Sequence, residues 1–269
     1  MFRNCSQLNT IEMDATDISA RSACGNWVNG VSSTGTFIKN SDATWSNSGV
    51  VPSGWTVRQK NPMHNGHEYV DLGLKDDQGR TIYWATCNVG ANSPEEYGDY
   101  FAWGEIEMRN ETYTVLNYKF YDFSSGYRKV TKYCTNFRKG SVDNLKELDV
   151  LDDIGTISFG EKWQMPSKEN MDLLLTNCVW IYEELNAVKG YRIVGNNGNS
   201  IFLPFAGYYE NGNEGTISSG HYWTKSLDTD NYNDNANYGA FGLYLAIGYT
   251  ICTSLDRYQG RSIRPVYIK

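Results

Sequence analysis

Short aromatic-rich runs, each closed by turn-forming residues, recur along most of the chain and restrict it to folds built from many small strands. The runs are "HEYVDLGL", "TIYWATCNVG", "YFAWGEI", "GYRIVG", "SIFLPFAGYY", "GHYWTKS", "GLYLAI" and "SIRPVYI". Val, Ile, Tyr, Phe and Trp suit a pleated, half-buried surface. Gly, Asn and Asp in "DDQGR" and "NNGNS" supply the backbone angles of tight turns. "NNGNS", between "YRIVG" and "IFLPF", predicts a hairpin.

Helices are few. In "ANSPEEYGDYF", Ser93 is a candidate N-cap, Pro94 fits the first helical position and Glu96 can close a capping box. In "MPSKENMDLLLTNC", Ser167 is the candidate cap, and Met171, Leu174, Leu175 and Cys178 fall on one helical face. A third, weaker pattern covers 144–155 and closes at Gly155. Many strands with two or three helices predict an α+β fold with a mainly antiparallel sheet. In "YFAWGEI" the alternation predicts a half-buried strand with Tyr100, Ala102 and Gly104 on one side and Phe101 and Trp103 on the other.

Residues 1–58 differ, with short apolar spots at Leu8, Ile11 and Met13 and a long tract rich in Ser, Thr, Gly and Asn. The polar stretch 59–67 is the expected linker, and 68–269 the main domain.

Composition narrows the partners. The chain has 269 residues and is 40% hydrophobic, enough for a sizeable core. Its 24 basic and 31 acidic residues give a net charge of −7, which argues against nucleic acid as a partner. No run reaches the roughly 18 apolar residues of a spanning helix, so no membrane insertion is expected. No signal peptide is visible at the start, so export would need a longer parent chain or another route. The six cysteines are scattered without a CxxC pair, and most are expected to be free thiols.

Chemical motifs are scarce. "DTDNYNDNANYG" (228–239) has the oxygens of a calcium loop but not their order. Counted from Asp228, Asn233 stands where the loop needs Gly and Gly239 where it needs Glu; counted from Asp230, Phe241 takes the Glu place. His64 and His67 lack a Cys pair and read as part of a solvated linker rather than a zinc site. A nucleophilic pair of Cys252 with His221 has nothing in the sequence to single it out. Asp152 and Asp153 read as a helix-end or loop cap. Arg261 and Arg264 in "RSIRPV" are expected to pair with acids and cover aromatic rings. No cofactor or metal is expected.

One segment has an unusual composition. From Ser226 to Tyr258 there is no Lys, Glu, Gln, Met or Trp, and no other stretch of this length lacks all five. None of the five is encoded by a codon ending in a pyrimidine.

The blocks "EYVDLGL", "WATCNVGANSPEEYGDYFAWGE", "KYCTNF", "EKWQMPSKENMDLLLTNC", "GYRIVGNNGNSIFLPFAGYY", "GHYWTKS" and "GRSIRPV" occur in that order. Together they resemble the Fibrobacter succinogenes major paralogous domain of Bacteroidales, over roughly residues 67 to 267. The resemblance implies a C-type lectin-like fold, similar to formylglycine-generating enzymes, and a binding module rather than an enzyme. Some members are variable proteins of diversity-generating retroelements, in which adenines of AAC or AAT codons are replaced. Such codons keep their pyrimidine, so the gap from Ser226 to Tyr258 fits a diversified face; Lys225 and Gln259 flank it. An active cassette and a static descendant both fit. "MFRNCSQLNTIEM", "ATDISA", "NWVNGVSSTGTFIK" and "VPSGWTV" resemble the last unit and cap of a Bacteroidales surface-antigen leucine-rich repeat, which implies a longer parent.

The implied ligand is a protein or glycan on another cell or host surface. The implied contact residues are Lys225, Leu227, Tyr232, Tyr238, Phe241, Tyr244, Ile247, Tyr249, Ile251, Thr253, Leu255, Asp256, Tyr258 and Gln259, all expected to face solvent. Tyr and aliphatic groups would supply contact area, and Asp and Asn hydrogen bonds. Trp84, Trp103, Trp163, Trp223, Arg261 and Arg264 would hold the scaffold. Two alternatives are weighed: an oxidase like the formylglycine-generating enzymes, which lacks here the close cysteine pair it needs, and an inert cap of a repeat protein.

Overall fold

The computed structural model describes residues 2–18, 27–40, 43–47, 49–109, 112–211, 213–214, 218–230 and 236–269, with backbone alone at 213–214. It divides into two units, Met1–Pro62 and Met63–Lys269.

The first unit stacks three short parallel strands, β1 (Thr10–Met13), β2 (Thr36–Lys39) and β3 (Thr56–Gln59). Their register aligns Ile11 with Phe37 and Phe37 with Val57. Ile11 and Phe37 are buried with Val50 and Trp55, and Trp27 and Trp45 pack around them.

The second unit is α+β, mostly small antiparallel strands. A five-stranded sheet joins β4 (Met63–His64), β5 (His67–Lys75), β6 (Thr81–Ala85), β9 (Trp163–Gln164) and β18 (Val266–Ile268), in the order β4-β5-β6-β18-β9. Two-stranded ribbons are β7 (Tyr121–Asp122) with β8 (Lys129–Val130), and β13 (Tyr209–Glu210) with β14 (Asn213–Glu214). A three-stranded sheet holds β10 (Val179–Leu185), β11 (Val188–Val194) and β12 (Ser200–Pro204). Its β11–β12 connection is the "NNGNS" hairpin. Another three-stranded sheet holds β15 (Ser219–Leu227), β16 (Gly239–Ala246) and β17 (Tyr249–Asp256).

The helices are α1 (Ile154–Phe159) and α2 (Lys168–Asn177). α2 starts where its cap predicts: the Ser167 hydroxyl accepts from Asn170 N, and the Asn170 side chain reaches back to Ser167 N, a capping box closed by Asn. Met171 and Leu174 are fully buried.

The helix expected at Ser93 is absent. Glu96 does reach back, accepting from Asn92 N at 2.7 Å. However, the carbonyls of Glu96 and Tyr97 accept from the Asn88 side chain, and Gly98 at φ +71° turns the chain away. The expected helix over 144–155 shrinks to a 3-10 turn at Val150–Asp152 followed by α1. Residues 146–148 instead bond to β15: Leu148 N donates to Lys225 O and Leu227 N to Lys146 O. Gly155 lies inside α1 rather than closing a helix. A Cβ there would stand 2.7 Å from the backbone of Gln164 and Met165.

"YFAWGEI" is not a half-buried strand, because Phe101, Ala102, Trp103, Gly104 and Glu105 are all buried. The boundary between the units falls within the expected linker 59–67, but His64 and His67 are not solvated. β4 and β5 form a hairpin, with the His64 ring stacked on Tyr267 at 4.4 Å and the His67 ring on Phe159 at 3.6 Å. Burial lowers the His67 pKa.

Three arginines near the C-terminus are buried without a carboxylate hydrogen-bond partner among the described residues. Arg257 donates to the carbonyls of Lys132, Tyr133 and Asn237 and to the Tyr118 hydroxyl. Its guanidinium sits 4.6 Å from the Trp103 ring centre. Arg264 donates to Asn88 Oδ1 and to the carbonyls of Ala85 and Thr86. Arg261 bonds to His221 and Gln259. The expectation of acid pairing for Arg261 and Arg264 is corrected: Arg264 bonds to carbonyls, and Arg261 to an imidazole nitrogen and a side-chain amide oxygen. Arg261 does cover rings, those of Tyr208 and Trp223.

Replacing Arg257 with Met strands three carbonyls and a hydroxyl in the core. The expected cost is about 3 kcal/mol or more of unfolding free energy, read by urea denaturation.

Candidate recognition face on the β15–β16–β17 sheet

Cross-strand partners share a face in an antiparallel sheet. The register places His221 beside Tyr244 and Tyr244 beside Ile251, with Tyr249 beside Ala246. The opposite face carries Tyr222, Leu243, Leu245 and Cys252, which pack with Met171 and Leu174 of α2. The two faces therefore have different roles. One packs on the core through Tyr222, Leu243 and Leu245. The other is core at the end formed by Trp223, Leu227, Ala240 and Leu255, and open at the end nearest the β16–β17 turn.

The open end is an aromatic row. The Tyr208 ring centre is 4.7 Å from that of His221, His221 is 5.0 Å from Tyr244, and Tyr244 is 6.0 Å from Tyr249. Ile247, Tyr249 and Ile251 are 62%, 55% and 37% exposed. The turn beside them is pinned: the Tyr191 hydroxyl donates to Ala246 O at 2.9 Å and accepts from Gly248 N at 2.8 Å.

Of the expected contact residues, Tyr244, Ile247, Tyr249, Ile251 and Thr253 come together on this face and its turn. Others do not. Leu227 and Gln259 are buried, the first in the core and the second beneath Arg261. Phe241 faces α2, with the Lys168 ammonium 5.3 Å from its ring. Lys225 is tied to Glu147 at 2.8 Å. Tyr238 lies between Arg128 and Lys139 and donates to Arg128 O. The Tyr258 hydroxyl donates to Glu210, and its ring packs on the core, as does Leu255. Asp256 is half-buried at the strand end, and burial raises its pKa. Tyr232 lies outside the described residues.

His221 and Tyr208 belong to the row and were not expected. The period of two in "SGHYWTKSL" was the available signal, since it puts His221 on the same side as Trp223.

The chemistry of His221 is constrained. Arg261 donates to its Nδ1, so Nε2 carries the proton and donates to Ser219 Oγ at 3.2 Å. A histidine in this tautomer cannot take the proton of Ser219, so the two do not form a nucleophile and base. Burial, reinforced by the Arg261 guanidinium, pushes the imidazole down to about 3, and burial pushes Arg261 down to about 10. Cys252 and His221 lie on opposite faces of the sheet and form no pair. Burial pushes the Cys252 thiol up to about 12.

The acidic pair also resolves. Asp153 caps α1, accepting from Thr156 N at 3.1 Å, and also accepts from Met165 N at 2.9 Å; burial raises it to about 6. Asp152 is buried too, yet Lys119, Lys132 and the Tyr133 hydroxyl hold its carboxyl below the usual range. Among the described residues no group of three His, Cys, Asp or Glu is placed to hold a metal. The five cysteines described are free thiols. Among the described residues no helix is long and apolar enough to cross a membrane.

These features define an α+β domain with an open aromatic face on a three-stranded sheet. No family model, curated protein or solved structure matches the chain.

The His221 environment predicts a pH dependence. The unfolded chain protonates this residue near its ordinary value of about 6.5, the folded chain only near 3. Below about 6.5 the unfolded state therefore binds more protons, and the folded state loses stability as pH falls, by about 1.4 kcal/mol per unit. His221→Gln lacks this slope. In urea titrations at about pH 6 and about pH 4, wild type should lose stability relative to the variant. Asp153 contributes the opposite slope to both chains and cancels.

Proposed function

We propose that this chain is a non-enzymatic ligand-binding module, an adhesin or receptor-binding domain, and that the β16–β17 hairpin is its recognition face. The carrying observation is the exposed set Ile247, Tyr249 and Ile251 beside the aromatic row, on a turn fixed by Tyr191. Single apolar groups are exposed elsewhere too, such as Leu116 and Phe137, but here they adjoin an aromatic row, and contiguous apolar patches mark contact sites. Tyr offers rigid area with a polar tip, and a preformed hairpin avoids an ordering cost on binding.

The ligand is a protein or a glycan on another cell. Aromatic rings in a row suit both sugar faces and apolar side chains. The module works at a cell surface or on a phage tail. The segment from Ser226 to Tyr258 holds this hairpin, and its lack of Lys, Glu, Gln, Met and Trp supports diversification by a retroelement. The C-type lectin-like fold and the leucine-rich-repeat origin of the first unit belong to the same reading.

Tyr244, Tyr249 and Tyr258 do not form one surface set, since Tyr258 is tied into the scaffold. The discriminating variant therefore replaces Ile247, Tyr249 and Ile251 together with Ala. Binding to whole cells or to a glycan array should fall at least tenfold, the loss of about 1.4 kcal/mol, with little change in melting temperature. Tyr258→Ala should lower the melting temperature. A triple variant that binds normally would sink the assignment. The neighbouring DNA gives an independent check: a reverse-transcriptase gene and a template copy differing only at adenines are expected.

A further inference from the structure

β17 is the outer strand of its sheet, and among the described residues no strand pairs with its outer side. Its register with β16 runs from Gly239–Asp256 to Ala246–Tyr249 without a bulge. A long, regular, uncharged edge is a template for another strand, and free edges are normally blunted by charge, proline, bulges or shortness. The other edges of the molecule follow that rule. β1 carries Glu12, β3 Arg58, β10 Glu183 and Glu184, and β15 Lys225. β12 is buried and ends in Pro204. β4 and β9 have two residues each. In β17, Tyr249 to Leu255 carries no charge and no proline; its one charged residue, Asp256, is the last.

We propose that β17 pairs with the β17 of a second copy of this chain across a two-fold axis, joining two three-stranded sheets into one of six strands. The backbone sets the register. A two-residue turn makes Ala246 and Tyr249 the hydrogen-bonded pair next to it, and such pairs alternate along a hairpin. The N–H and C=O groups of Thr250, Cys252 and Ser254 therefore point outward.

A two-fold axis at Cys252 sets Thr250 opposite Ser254 of the second copy, Ile251 opposite Thr253 and Tyr249 opposite Leu255. Thr250 and Ser254 turn toward α2, where Ser254 Oγ is fully buried, so the side-chain match is made by Ile251 with Thr253 and Tyr249 with Leu255, and no like charges face each other along the strand. On α2, which packs against β17, Lys168 and Asp172 already pair with each other at 2.5 Å. An unrelated extended peptide would satisfy the backbone but not this side-chain match. The net charge of −7 on each chain is screened beyond about 8 Å at physiological salt. Tyr244, Tyr249 and Ile251 stay on the open face, so two recognition surfaces would stand side by side.

Light scattering on the full chain after size exclusion, over about 10 to 500 µM, tests this, because a contact made by one strand pair dissociates on dilution. The expected mass is that of two chains at the high end and falls toward one. Ile251→Lys with Thr253→Lys sets lysine opposite lysine and should give one chain at every concentration. Ile251→Lys with Thr253→Glu sets lysine opposite glutamate and should restore the dimer. A wild-type chain that remains single throughout overturns the proposal. So does a dimer that survives the double lysine variant, or a lysine–glutamate variant that stays single while its circular dichroism matches wild type.

Discussion

The buried guanidinium of Arg257 joins the parts of the second unit that carry no regular structure of their own. It follows β17 directly and bonds the carbonyls of the neighbours Lys132 and Tyr133 and of the distant Asn237. Asn237 in turn closes the neck of the loop that begins at Asp228, through Asn237 N to Asp228 O, and its side chain accepts from Thr135. A guanidinium can do this because its donors fan out in a plane and match several carbonyls at once. A lysine in the same place would reach fewer of them. Stripping a cation of water is costly, and here carbonyl dipoles, a phenol and ring faces compensate for it.

Arg261 and Arg264 repeat the device at neighbouring points. Arg264 ties the chain before the last strand to the end of β6, and Arg261 holds His221 within the aromatic row. The effect is a hairpin whose base is rigid and whose tip is apolar and open. That division of labour is what the recognition reading rests on. It also fixes the proton on His221 and removes this histidine from acid–base chemistry.

Much of the strand pattern was legible in residue order. "NNGNS", "HEYVDLGL" and the Ser167 cap became elements where local chemistry placed them, because tight turns and caps are local events. The Ser93 segment failed for a physical reason: Asn88 claims the carbonyls that a helix would use. The 144–155 segment failed because β15 offered it partners first. Site residues were harder. Tyr249 and Ile251 could be picked by composition, yet Leu227 and Gln259 came from the same segment and are buried.

By itself the sequence determined that the chain would form many small strands around an aromatic core, with one well-capped helix, and it marked the segment from Ser226 to Tyr258 as chemically distinct. Turn residues, period-two alternation and capping boxes act over a few positions, so they are written in order along the chain. Only the tertiary structure decided which side of β16 and β17 meets α2 and which meets solvent. Only it could show that Arg257, unremarkable in sequence, is the buried tie among distant loops. Those outcomes depend on which segments arrive next to one another, and a hydrogen-bond partner more than a hundred residues away leaves no local signature.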